Sequence, residues 1–260
     1  MSSKQSTQKT LRKVVYTPDS RLRHPSALVS EMLGDLLKSR DLAWRLMVRD
    51  ISAQYRQSMF GVLWAFVPPL ITAGTLTFAR DAGVVNISDT DIPYPAYVMF
   101  SMALWQTFTS ALTGPVTAVT KAKSMLTKIN FPREAIVLAK IGEVFFDFAI
   151  KMVLILGLFI LFRIQVLWTV VLAPVALVHL IGLGTAIGLW LAPWGTLYQD
   201  VSRALRLVLS PWLLLTPVIY PPPQSGIFGT IVQLNPVTPL LVTTRELATV
   251  GKVSHPVGFW

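Results

Sequence analysis

Cysteine is absent from the 260 residues, which rules out disulfide frameworks and thiolate metal sites. Histidine is sparse: His24, His179 and His255 stand far apart and form no ligand cluster. Charge is scarce as well. Asp, Glu, Lys and Arg make up 14% of the chain, against about 25% in ordinary soluble domains. No GxxxxGK[ST] loop is present, because Gly251-Lys252 runs into Val253 without the upstream glycine. Nucleotide chemistry therefore belongs to another polypeptide if this chain does energy-driven work. The basic start, residues 1–30, lacks the apolar core segment a cleavable signal needs. It reads as a flexible, cytoplasmic, basic tail carrying Lys4, Lys9, Arg12, Lys13, Arg21 and Arg23.

What fills the chain is apolar: 53% of its residues are hydrophobic. Five runs are long enough to span a bilayer, at about 20 residues each: roughly Val62–Ala79, Pro95–Val119, Ala135–Phe162, Val166–Leu191 and Val201–Tyr220. The expected fold is an all-α integral membrane protein. The net charge of +10 fits either nucleic acid or cytoplasmic loops. Beside runs this apolar we read it as topology and expect no nucleic-acid partner. Basic loops alternate with others. Residues 1–61 and 120–134 are rich in Lys and Arg, 80–94 carries Asp81, Asp89 and Asp91, and 192–206 carries Arg203 and Arg206. That pattern places the N-terminus in the cytoplasm.

After Tyr220 come two shorter apolar pieces, Gly226–Leu234 and Val237–Leu247, split by Asn235-Pro236. Neither reaches a full span. A re-entrant or interfacial hairpin on the outer face is expected.

Three groups of residues carry candidate functions. Residues 41–57 read as an amphipathic helix in which Arg45, Arg49 and Arg56 fall within about 40° of one another. Trp44, Met47, Val48, Ile51 and Tyr55 lie on the opposite arc, while Leu42 and Leu46 break the pattern. A basic face opposite an aromatic-aliphatic one suits a helix in the membrane interface; the alternative is a solvated helix packed on a soluble domain. The loop TKAKSMLTKINFPRE holds Lys121, Lys123, Lys128, Phe131, Pro132, Arg133 and Glu134. Pro132 biases Phe131 out of the α region and marks a boundary. A short helix is expected at about 121–129, and on physics alone the loop is a positive-inside anchor. Lys140, Glu143, Asp147 and Lys151 recur three to four residues apart, on one helix face spanning about 16 Å. Charges at that depth face other protein or water. The stripe is either a pathway wall or coupling element, a mutually neutralised ladder, or a proton relay. The abundant aromatics, Tyr94, Tyr97, Phe100, Trp105, Phe108, Phe145, Phe146, Trp190, Trp194 and Trp212, form interface belts and packing, with a minority able to stack on sugars along a pathway.

Several ordered stretches resemble the ABC-2 type export permeases, and most of all the polysaccharide and polyol-phosphate exporters such as O-antigen and teichoic acid permeases. They are RDISAQYRQSMFGVLWAFVPPL, YPAYVMFSMALWQTF, INFPREAIVLAKIGEVFFDF, LYQDVSRAL, TPVIYPPP and LNPVTPLL. The resemblance covers most of residues 28–250. It implies a homodimer of six-span permeases in the bacterial cytoplasmic membrane, bound to ABC ATPase subunits that hold ATP and Mg. It implies substrate entry near the interface helix (Trp44, Arg45, Arg49, Tyr55, Arg56) and ATPase coupling through Lys121–Glu134. The first and fifth spans would line the channel, the 221–249 hairpin would form a periplasmic gate, and the cargo would be an undecaprenyl-linked glycan. The family's sixth span follows the hairpin, whereas this chain ends at Trp260. Residues 31–260 are thus expected to form the transmembrane domain without that span. The rival functions are an ABC-2 drug or haem exporter and a membrane-embedded transferase using Asp81, Asp89 and Asp91.

Overall fold

The computed structural model describes residues 25–56, 61–126, 133–223 and 225–251, and every regular element among them is helical. The elements are α1 (Pro25–Arg56), a 3₁₀ turn (Gly61–Ala65), α2 (Val67–Asp81), α3 (Tyr94–Leu126), α4 (Arg133–Leu161), a second 3₁₀ turn (Trp168–Leu172), α5 (Ala173–Leu197), α6 (Asp200–Leu214), α7 (Gly226–Leu234) and α8 (Val237–Thr249).

Helix α3 is the hub, with α5, α4, α2, α6 and α8 packed around it. Its closest neighbour is α5, which it meets through a seam of small residues. A methyl on Gly184 would stand 2.8 Å from the Phe108 carbonyl oxygen, and one on Gly195 would stand 2.6 Å from Val116 Cγ1. One on Gly188 would collide with the Leu112 carbonyl oxygen. Both helices advance in the same direction along these contacts, so they run parallel, with glycine letting the backbones meet as in membrane bundles. The threonines of α3 are accommodated by bonding back into the helix: Thr107 to Ala103, Thr113 to Thr109 and Thr120 to Val116.

By length and composition, Glu134–Leu161 and Trp168–Leu197 can each cross a membrane, with mean hydropathies of 2.5 and 2.2. The bent pair α7–α8 adds a third if it counts as one span. The other three expected spans do form helices. At 15 residues each, α2 and α6 cover about 22 Å, short of a hydrocarbon core of about 30 Å. At 33 residues α3 is long enough, but its threonines, serines, tyrosines and prolines hold its hydropathy down.

Several boundaries differ from expectation. α1 begins at Pro25, well ahead of the expected 41–57, and ends at Arg56. Residues 121–126 are not a separate helix. They continue α3 to Leu126, because nothing between Pro115 and that point breaks the ladder. Helix α6 stops at Leu214 rather than running to Tyr220, since Pro217 and Pro221–Pro223 cannot continue it. α4 starts at Arg133, directly after Pro132. Gly61 sits at φ +50°, a left-handed conformation that favours glycine, so the apolar half of the chain begins on a turn.

Candidate functional site

Two polar places stand at opposite ends of this bundle. The first lies where α3 gives way to α4. Helix α1 runs alongside α4 in the same direction, Met47 pressing on Gly142 and Tyr55 reaching Asp147 and Phe146. Between α1, α3 and α4 is a cavity of about 570 Å³, walled by Arg49, Asp50, Lys121, Lys140 and Glu143 among others. That is within the range of small-molecule sites. Three groups that stand apart in the sequence meet here: the arginine helix, the basic loop and the charged stripe.

Three of the stripe's four members have partners among the described residues. Lys140 and Glu143 form an ion pair. The Tyr55 hydroxyl donates to Asp147 Oδ1 at 3.2 Å. Burial, together with the charge of Asp147, pushes Tyr55 up to about 12, so it remains a donor at neutral pH. Lys151 lies half-buried one turn beyond Asp147. On α1, Arg49 pairs with Asp50 at 2.8 Å, and Arg45 and Arg56 are exposed. Trp44 is 64% exposed on a separate face with Leu37 and Val48. Lys123 falls in the last turns of α3, Arg133 opens α4, and Glu134 is exposed. Lys128, Phe131 and Pro132 lie outside the described residues.

The second place is a collar at the other end, and sequence reasoning missed it. Between α6 and α7 the chain is irregular, so its carbonyls have no helical partners. Four side chains take them. Asn235 Nδ2 donates to Leu215 O at 3.2 Å, Arg245 to Pro217 O at 3.1 Å, the Tyr94 hydroxyl to Ile219 O at 3.0 Å and the Tyr97 hydroxyl to Tyr220 O at 2.8 Å. Arg245 is 4% exposed, donates also to Ser101 Oγ at 2.8 Å and lies over the Tyr97 ring at 4.1 Å. Asn235 Oδ1 further accepts from Trp212 Nε1 and from the Val237 amide at the start of α8. Helices α7 and α8 are bent by 87° at this corner. Thr169 donates to Leu247 O, which returns α8 to the end of the bundle it left. The missed signal was an arginine inside an apolar helix, because a buried charge must find partners.

The aromatics also sort. Tyr97, Phe100, Trp105 and Phe108 are buried, and Trp212 packs edge-on to Trp105 and Phe108. Phe145, Phe146, Trp190 and Trp194 are exposed.

Comparison with known proteins fits this bundle. The family model described as ABC-2 type transporter matches residues 41–247. The O-antigen export system permease protein RfbA of Myxococcus xanthus is 26% identical over 220 residues, covering 83% of each chain. A protein of the same description from Klebsiella pneumoniae is 22% identical over 215 residues, covering 80% of each. Because the family model matches this α3-centred bundle along most of its length, the chain belongs to the ABC-2 type transporter family of membrane permeases.

Proposed function

We propose that the chain is the permease subunit of an ATP-driven exporter that moves a lipid-linked polysaccharide of O-antigen type outward across the bacterial cytoplasmic membrane. The observation that carries this reading is the family match over residues 41–247, together with relatives whose names specify O-antigen export. In this reading two copies form the conduit, and a partner ATPase holds ATP and Mg. The N-terminus and the α3–α4 connection lie in the cytoplasm. Five spans cross the membrane in a domain that starts near residue 31: α2 lengthened by the Gly61–Ala65 turn before it, α3, α4, α5, and α6 lengthened by the irregular chain that follows it; the α7–α8 hairpin re-enters from the periplasmic side.

Roles for the candidate residues follow. Arg45, Arg49 and Arg56 face lipid phosphates or the cytoplasm, while Trp44 and Tyr55 sit toward lipid and α4. The segment Lys121–Glu134 docks on the ATPase. Asp147 through Tyr55, and Gly142 against Met47, tie α1 to the first half of α4, with Lys140, Glu143 and Lys151 alongside as a coupling stripe, so that a push at the docking loop moves the arginine helix with it.

The test is deletion of the gene in its source bacterium. Loss of surface polysaccharide, with lipid-linked glycan accumulating inside, is expected, and the chain plus its ATPase should restore export. Intact surface glycan with raised drug sensitivity would refute the reading in favour of a small-molecule exporter.

A further inference from the structure

Helix α2 is lightly held. Pro69, Ala73, Leu76 and Arg80, spaced four, three and four residues apart, share one of its faces. Pro69 and Ala73 are buried and Leu76 packs half-buried on the core, whereas Leu70, Ile71 and Phe78 are exposed. So little apolar burial fastens a helix weakly. The polar member of the stripe stands at its end. Gly83, at φ +72°, turns the chain out of α2, which leaves Arg80 in the last turn. Its guanidinium lies over the Tyr94 ring, 4.9 Å from the centroid, and donates to Asp89 Oδ1 at 3.0 Å. Tyr94 stacks on Tyr97, with centroids 6.4 Å and planes 13° apart, and Arg245 lies over Tyr97. Two arginines, one from α2 and one from α8, thus hold one pair of tyrosines. The two holds differ. Arg245 is buried and adds hydrogen bonds to Ser101 and Pro217. The Arg80 side chain is 24% exposed, and its second partner, Asp89, is fully exposed. An ion pair of that kind adds little.

We propose that Arg80 is a releasable clasp: it fastens the far end of α2 to Tyr94, and its release lets α2 swing out from the bundle about the turn at Gly61. The tyrosines are the fixed post. Each phenol donates to a carbonyl of the irregular chain after α6, Tyr94 to Ile219 and Tyr97 to Tyr220, and Arg245 keeps its hold on Tyr97 whether or not Arg80 is engaged. The moving part is α2, whose near end follows the 3₁₀ turn that opens at φ +50°. Release exposes one face of one ring and a guanidinium already in partial contact with water, so the clasp opens at a small cost compared with the buried Arg245 hold. The inference rests on the export reading only in taking α2 as the first span, with Arg80 at its outer end and the passage on its free side.

The chain has no cysteine, so labels can be placed at chosen positions. The experiment uses the full chain in lipid nanodiscs, with spin labels on Asp81→Cys and Leu161→Cys, exposed positions at the ends of α2 and α4. Excess unlabelled chain ensures that one labelled copy is read in each assembly by pulsed electron paramagnetic resonance. The wild type should show a major distance and a minor, longer one. Arg80→Gln should raise the ratio of long to short about tenfold, the worth of one cation–π contact. Arg80→Lys keeps the charge without the planar face that stacks and should fall between. Asp89→Asn should change the ratio by about twofold. In hydrogen exchange, Arg80→Gln should speed the last turn of α2 and leave α3 and α8 as protected as in the wild type. A distance distribution unchanged in Arg80→Gln overturns the proposal. So does exchange that rises alike in α2, α3 and α8, which would make Arg80 a general stabiliser of the bundle. If Arg80→Gln does not fold, the Arg80→Lys shift decides in its place. Export by the chain with its ATPase is scored separately: export with an unchanged distance distribution overturns the clasp alone, and the shift without export overturns the export reading alone.

Discussion

Gly188→Ala isolates the packing that holds the bundle together. Its new methyl would meet the Leu112 carbonyl oxygen and the Pro115 ring, at 3.2 Å from Pro115 Cδ. A carbonyl oxygen on a fully buried α3 turn cannot swing aside as a side chain can. The two helices must therefore separate locally, and overpacking of this kind costs about 1–3 kcal/mol. Alanine also improves helix propensity by about 1 kcal/mol; an immovable backbone contact belongs in the upper part of the overpacking range, which leaves a net loss of about 1–2 kcal/mol. Gly182→Ala is the control. It lies six residues earlier on the same helix, its added methyl has nothing within 4 Å, and only the propensity term acts. The two substitutions are chemically identical and should have opposite signs. Thermal unfolding of the purified protein, followed by loss of monodisperse elution after heating, should place Gly188→Ala several degrees below wild type. Gly182→Ala should fall at or above it. If the two melt together, the close approach of α3 and α5 is not what sets stability, and the seam argument fails.

Other substitutions probe the polar ends. Arg245→Leu leaves Pro217 O without a donor and removes the cation over Tyr97, for a loss of about 2 kcal/mol. Arg245→Lys should fall between it and wild type in the same melting assay, and a leucine variant as stable as wild type would refute the collar. Tyr55→Phe bears on pH. Because folding raises the Tyr55 pKa from 10.0 to about 12, its contribution is complete below pH 10 and lost as pH climbs toward 12. The phenylalanine variant should therefore lose less stability than wild type across that window, and parallel profiles would discard the Tyr55–Asp147 bond as a contributor. Arg163, two residues past the end of α4, sits at φ +53°, so Arg163→Gly should stabilise by about 1 kcal/mol; a lower melting temperature would show that its side chain holds a contact worth more than the strain.

How much was legible in advance depends on what each feature is made of. The charged stripe on α4 and the arginine face on α1 are periodic within one helix, and periodicity is visible in a linear string. The boundary at Arg133 was legible because a proline acts on its immediate neighbour. The end of α6 was not. Pro211 sits inside that helix and Pro217 beyond it, and sequence alone does not separate a tolerated proline from a terminating one. The chain can leave the helix near Pro217 because its irregular carbonyls find donors, and those donors come from residues far along the chain.

The collar makes this point in physical terms. Leu215, Pro217, Ile219 and Tyr220 each offer a carbonyl, and Asn235, Arg245, Tyr94 and Tyr97 each supply the donor. No local rule links residue 94 to residue 219. Yet the requirement was already present: an unwound segment inside an apolar bundle must have its backbone satisfied by neighbours, and an arginine in an apolar helix must find acceptors. Each half looks like a defect when taken alone. Together they account for one another, because the irregular carbonyls supply what Arg245 needs and Arg245 supplies what they lack. The α7–α8 hairpin is therefore held by polar exchange at its corner and along α8 rather than by apolar burial alone. An element held in this way can be released by competing hydrogen bonds from water or sugar hydroxyls, which apolar packing does not permit.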